Sequence, residues 1–174
     1  MNDNTPYQPN LNDTSRPTII KDIIIEDFVN YKKPCMTIMT PYCIGFKCGQ
    51  ELCQNSELAT TPNVIVTLSY IITSYMQNPI TEAICFQGLE PFDSPDIFYC
   101  ISDIRKYISD DIVIYSGYTE QELSYKEYLS TLKKAGQYNI ILKVGRYIPN
   151  RTKKYDDVLG VTLASDNQYA MRIC

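Results

Sequence analysis

Residues 83–117, AICFQGLEPFDSPDIFYCISDIRKYISDDIVIYSG, decide the fold. The apolar run Ala83–Phe86 stops at Gly88, helical spacing follows from about Asp96 to Tyr107, and a second apolar run, Ile112–Tyr115, stops at Ser116-Gly117. Short apolar runs bounded by glycine read as buried strands, and the longer stretch between them reads as a crossover helix. Downstream the unit repeats, with helical spacing over roughly Thr119–Lys134, then the strand Ile140–Lys143, which stops at Gly145. Upstream, Thr37–Met39 reads as a strand, and Leu68, Ile71, Ile72 and Tyr75 mark an amphipathic helix between Thr67 and Met76. Two short strands, Val158–Leu163 and Tyr169–Ile173, are expected at the end of the chain. Alternation of this kind predicts an α/β protein with a parallel sheet. Three consecutive strands run into glycine at their carboxyl ends, which is where such sheets place ligands and where glycine lets backbone approach closely.

The 174 residues fit one domain, expected over 19–174 behind a loose, Asn- and Pro-rich leader at 1–18. A net charge of −4 gives no electrostatic footprint for a phosphate backbone, so nucleic acid is not the expected partner. No apolar run approaches the roughly 20 residues that span a bilayer, and the polar start MNDNTPYQPN lacks a signal-peptide core, so no membrane partner and a cytoplasmic location are expected. The chain has no His, which excludes Ser-His and Cys-His nucleophiles and every imidazole metal site.

The chemistry is concentrated in Cys43-x4-Cys48-x4-Cys53, three thiols on one polar loop after a predicted strand, with Gly45 and Gly49 between them. In a reducing compartment such a group reads as a metal site rather than as disulfides. Structural zinc and electron-transfer clusters normally take four protein ligands, whereas three leave one metal position open for a small molecule. Iron suits the soft thiolates; a zinc site completed by a carboxylate or a fourth Cys stays open as an alternative, as do unrelated buried thiols. Cys35, Cys85 and Cys100 lie in apolar strand or helix contexts and read as packing residues.

Pro41-Tyr42-Cys43 through Cys48 to Cys53-Gln54-Asn55 resembles the cluster loop of radical S-adenosylmethionine enzymes, most closely the anaerobic ribonucleotide reductase activases. Four further segments agree in order. Gly88-Leu89-Glu90-Pro91-Phe92 resembles the family's Gly-Gly-Glu-Pro motif, and Ile114-Tyr115-Ser116-Gly117-Tyr118-Thr119 its Tyr-Thr-Gly-Tyr-Thr turn. Gly145-Arg146-Tyr147 sits where an Asp-Gly-Pro-Phe loop is expected, and Leu163-Ala164-Ser165-Asp166-Asn167-Gln168 is similar to a closing Gly-Ser-Ser-Asn-Gln segment. Two departures stand out: the family spacing is Cys-x3-Cys-x2-Cys, and Leu89 occupies the position of the motif's second glycine.

The resemblance implies a partial (β/α) barrel of mostly parallel strands with the cluster loop at the carboxyl end of the first strand. It implies a 4Fe-4S cluster held by Cys43, Cys48 and Cys53, and S-adenosylmethionine as second cofactor. Gly88, Leu89 and Glu90 would face the methionine moiety, Ser116 and Gly117 the ribose, and Phe46 the adenine, with Gly145 in the same cofactor-binding set. The implied activity is reductive cleavage of S-adenosylmethionine to a 5′-deoxyadenosyl radical. The implied partners are a glycyl-radical enzyme subunit and an external electron donor of flavodoxin or ferredoxin type. A small nucleotide-like substrate, and a non-catalytic iron–sulfur or zinc protein, are the alternatives. Residue by residue there is also a plainer reading, in which Glu90-Pro91-Phe92 is a strand-to-helix turn with Asp93 or Ser94 as helix cap.

Overall fold

The computed structural model describes residues 16–44 and 53–174. In chain order the elements are β1 (Pro17–Ile20), β2 (Asp22–Asp27), β3 (Cys35–Thr40), α1 (Ser56–Thr60), β4 (Val64–Thr67), α2 (Leu68–Gln77), β5 (Ala83–Gly88), α3 (Ile97–Arg105), β6 (Asp111–Tyr115), α4 (Glu120–Tyr125), α5 (Tyr128–Gly136), β7 (Ile140–Val144), β8 (Lys154–Asp156), β9 (Val161–Leu163) and β10 (Tyr169–Arg172). A 3₁₀ turn, Pro91–Asp93, sits between β5 and α3.

Six strands form one sheet in the order β10-β7-β6-β5-β3-β2. The four central strands β3, β5, β6 and β7 are parallel, and their register brings Thr40 beside Gly88. Period-two alternation sorts their side chains. Met36, Ile38, Ile84, Phe86, Ile112, Ile114, Ile140, Leu142 and Val144 share one core with the apolar stripes of α2 and α3 and with Leu123 and Leu132 of α4 and α5. Cys35, Ala83, Cys85, Val113 and Ile141 face the other way and pack against Tyr31, Leu159 and Leu163. Side-chain caps start two of the helices: Thr67 caps α2 by accepting from the Tyr70 N–H, and Thr119 with Glu122 forms a capping box on α4.

The expected partial barrel of mostly parallel strands is not what forms. The sheet is mixed and small, because both edges are antiparallel: β2 runs against β3, and β10 runs against β7. A barrel needs further parallel strands, each supplied by a crossover. After β7 the chain instead makes the β8–β9 hairpin and comes straight back as β10. The hairpin lies over the face a barrel would enclose. Leu159 and Leu163 are buried there, and the Lys32 N–H donates to the Leu159 carbonyl at 2.8 Å, docking residues 28–32 beside them.

Three local differences accompany this. The single helix expected over 119–134 is two, parted at Glu127, whose φ of 58° is left-handed and cannot continue a helix. The strand expected at Val158–Leu163 is the second arm of the hairpin, with Gly160 at φ 72° in its turn. The first described element is β1, two residues earlier than the expected start at 19, and it pairs with β4 in a separate two-stranded ribbon; both are short and leave Ile19, Val64 and Ile65 exposed. Among the described residues no helix is long and apolar enough to cross a membrane.

Candidate active site

A cleft of about 340 Å³ opens at the carboxyl ends of the parallel strands, within the range of about 300–1,000 Å³ usual for small-ligand pockets. Its wall is built from Gln87–Glu90 at the end of β5, Tyr115–Gly117 at the end of β6, and Lys143 and Gly145 at the end of β7; the partly exposed Cys43 and Cys53 and the exposed Asn55 form the lip. Residues 161–164 and Val29–Asn30 close the far side. Every described residue that the sequence nominated for cofactor or metal binding therefore lines one cavity: Cys43, Cys53, Gly88, Leu89, Glu90, Ser116, Gly117 and Gly145. Phe46 and Cys48 lie outside the described residues.

Two glycines shape the wall. Gly88 has φ 97°, and a β-carbon there would sit 3.0 Å from Leu58 Cδ2 and 3.2 Å from Met39 Cα. Gly145 has φ 98°, and its β-carbon would meet the Asn167 carbonyl at 3.0 Å. Both positions demand glycine on conformational and steric grounds. The Asn55 side-chain amide donates to the Gly88 carbonyl, tying α1 to the end of β5.

Glu90 is the most deeply placed charged group of the site, 2% exposed. Its Oε1 accepts from Ser116 Oγ at 2.8 Å and the Phe92 N–H at 3.2 Å, and its Oε2 accepts from the Gly117 N–H at 2.8 Å. Burial pushes its carboxyl up to about 7 and outweighs these three hydrogen bonds, which pull the other way. The carboxylate thus braces the turn after β6 and caps the 3₁₀ turn; the chain does turn here from strand toward helix, but the helix cap expected at Asp93 or Ser94 does not form, since α3 starts after Asp96 without a side-chain cap. Ser116 Oγ is equally engaged, since it also accepts from the Tyr118 N–H at 3.0 Å. Leu89 lines the cleft half-buried, and its backbone N–H donates to the Thr40 carbonyl at 3.4 Å.

The sequence reading missed Lys143, Tyr115 and Gln87 as cleft residues, and took Gln168 only as part of a terminal stitch. Lys143 is 7% exposed and donates to the Gly145 carbonyl at 2.9 Å, which also accepts from Gln168 Nε2 at 3.2 Å. A signal for Lys143 was present: a lone cation in the run Ile140–Val144 must point to the sheet face that is not the aliphatic core. The Tyr115 hydroxyl donates to the Asn30 carbonyl, and burial raises its pKa far above the usual phenol value, so it stays protonated. Arg146 pairs with Glu122 across the turn rather than standing as a solvated charge.

The donor set is chemically soft. Cys43 and Cys53 sit on the lip of the same cleft, and with no His in the chain a metal there would be held by thiolates and oxygen ligands, a combination suited to iron–sulfur or zinc chemistry. Among the described residues no three Cys, Asp or Glu side chains are grouped closely enough to hold an ion; the third thiol of the predicted set is Cys48. Cys35 and Cys85 are fully buried behind the cleft, next to each other and to Asp27, and burial keeps the Cys85 thiol protonated. Compared with protein-family models, with curated proteins and with solved structures, the chain matches none.

Proposed function

We propose that this chain is a radical S-adenosylmethionine enzyme of the cytoplasm, with a 4Fe-4S cluster held by Cys43, Cys48 and Cys53 at the lip of the strand-end cleft. The observation that carries the reading is the convergence of Cys43 and Cys53 with Gly88, Gly117 and Gly145 on one cavity. When bound, the cluster supplies the electron that cleaves S-adenosylmethionine to methionine and a 5′-deoxyadenosyl radical. The protein's own part is to leave one metal position without a protein ligand, to hold the nucleoside against the backbone of residues 88–90 and 116–117, and to exclude water with the 161–164 segment. Glu90 serves in this scheme as a brace for the Ser116–Gly117 turn rather than as a cofactor ligand. The radical's destination is a glycine of a separate glycyl-radical enzyme subunit, with the electron coming from a flavodoxin- or ferredoxin-type donor.

The test is anaerobic reconstitution with iron and sulfide, reduction in the presence of S-adenosylmethionine, and chromatography for 5′-deoxyadenosine. The wild type is expected to bind close to four irons and to form the nucleoside. Cys43→Ala, Cys48→Ala and Cys53→Ala should each abolish the brown chromophore, and Cys100→Ala, in the helix-side core, should leave it unchanged. A second reading, a cluster or zinc protein without turnover, is favoured by one observation: Leu89, which lines the cleft, stands where the resembled motif has its second glycine. An intact cluster without 5′-deoxyadenosine selects that reading.

A further inference from the structure

The polar face of the sheet ends in a row of four side chains. Strand register sets Met39 beside Gln87 and Tyr115 beside Lys143, and it pairs Phe86 with Ile114, which brings Gln87 next to Tyr115. The row beneath, Thr37, Cys85, Val113 and Ile141, is fully buried. Gln87, Tyr115 and Lys143 therefore form the floor of the strand-end cleft, and all three line it.

The three are held differently. The Tyr115 hydroxyl donates to the Asn30 carbonyl, so the ring is pinned at both ends. Lys143 Nζ donates to the Gly145 carbonyl at 2.9 Å. At Gln87 the backbone carbonyl accepts from Thr40 Oγ1 at 3.0 Å, but the half-buried carboxamide has no hydrogen-bond partner among the described residues. A carboxamide presents an acceptor oxygen beside a donor NH₂, and a ligand that met only one of them would leave the other desolvated and unpaired. Its complement is a neutral planar group with a donor beside an acceptor. The edge of adenine has that pattern, and glutamine can read it through two hydrogen bonds at once. Bases also stack on aromatic side chains, and Tyr115 supplies a fixed ring one strand away, at a strand spacing of about 4.8 Å. The cleft, about 340 Å³, is of a size that takes a small ligand.

We propose that Gln87 is the base-reading residue of the cleft, a role that rests on the nucleoside placement above and on no metal. Its carboxamide pairs edge to edge with the amino group and a ring nitrogen of an adenine whose face lies against the Tyr115 ring. A base that lacks half of that edge is rejected, because it strands a donor or an acceptor on the cleft floor.

The test is equilibrium dialysis of the full chain, purified without added metal, against adenosine. Purine riboside, which lacks only the 6-amino group, should bind the wild type at least tenfold more weakly, and ribose should not compete. Gln87→Met, of similar length but without donor or acceptor, should lower adenosine affinity to the level of purine riboside and leave purine riboside binding little changed. Gln87→Glu keeps the shape and the acceptor but loses the donor, and should weaken adenosine binding severalfold; it carries the test alone if the Met variant does not fold. Unchanged adenosine affinity in a folded variant, equal binding of the two nucleosides, competition by ribose, or no adenosine binding at all overturns the inference. None of these outcomes bears on cluster assembly, which the release of 5′-deoxyadenosine tests separately, and adenosine binding that needs Gln87 sustains the assignment even in protein that forms no such product.

Discussion

The two faces of the central sheet are made by the same four strands and yet have opposite characters. On the helix side, Ile84, Ile112, Ile114 and Leu142 are fully buried among aliphatic and aromatic neighbours. On the other side, Thr37, Tyr115 and Lys143 stand among Cys35, Ala83, Cys85, Val113 and Ile141, so that hydrogen-bonded polar groups share the space under the hairpin and the 28–32 loop with a smaller apolar cluster. One face is a dry core whose contribution scales with area; the other joins a smaller apolar cluster to a polar layer whose worth depends on its groups being paired. The second opens at the strand ends into the cleft of about 340 Å³, where small and polar residues leave donors and the room that large aliphatics would fill.

The comparison can be broken by mutation. Ile112→Ala on the helix side removes a fully buried side chain and should cost about 4 kcal/mol, read as a fall in the urea midpoint without a change in slope. A loss near zero would mean the helix face is loosely packed, and the contrast would fall.

Next in size is a pH effect at the mouth of the polar layer. Glu90 ionises near 7 in the folded chain against 4.5 as its ordinary value, so the folded state holds the proton more tightly than the unfolded one. Its contribution is therefore most favourable below pH 4.5 and is lost as pH rises through 7, by about 3 kcal/mol in all. Thermal melts of the wild type should show that decline between pH 5 and 8, and Glu90→Gln should flatten it; parallel profiles would contradict the placement of Glu90 in a desolvated site.

The smallest effect belongs to the floor of the layer. Thr37 donates its hydroxyl to Asp27 Oδ2 at 2.5 Å, and Asp27 also accepts from the Val29 N–H at 2.8 Å and Asn30 Nδ2 at 2.6 Å. Burial raises the Asp27 carboxyl, but these donors together outweigh it and hold it below its ordinary value, so its stabilisation is present at neutral pH and lost in acid, opposite in sign to Glu90. Thr37→Val should cost about 1 to 2 kcal/mol at neutral pH and move the acid-side loss to higher pH. Equal stability would show that the polar layer is not held by its hydrogen bonds.

The same contrast explains what could be read from the sequence. Helix-side residues recur with clear periods, so β5, β6, β7, α2 and α3 were legible, and so were the glycines at 88 and 145, which the backbone confirms with φ of 97° and 98°. The cleft followed from those stops, since parallel strands that end in glycine deliver their turns to one side. Sheet closure was not legible. Whether Tyr169–Arg172 returns parallel or antiparallel to β7 is settled by long-range pairing, and nothing in its four residues specifies direction. The β1–β4 ribbon escaped because its exposed Ile19, Val64 and Ile65 show no buried period, and the break at Glu127 carries neither Gly nor Pro. The role of Glu90 needed the structure: the sequence places a carboxyl at the strand end but not the three donors that occupy it.

The central claim is that thiolates on the lip and glycines on the wall make one cofactor cleft, and the most direct measurement is nucleoside release. Oxygen-free, iron- and sulfide-loaded protein, reduced with S-adenosylmethionine present, should yield 5′-deoxyadenosine in step with its iron content. Protein that takes up no cluster, or carries a complete one and forms none of the nucleoside, would contradict it.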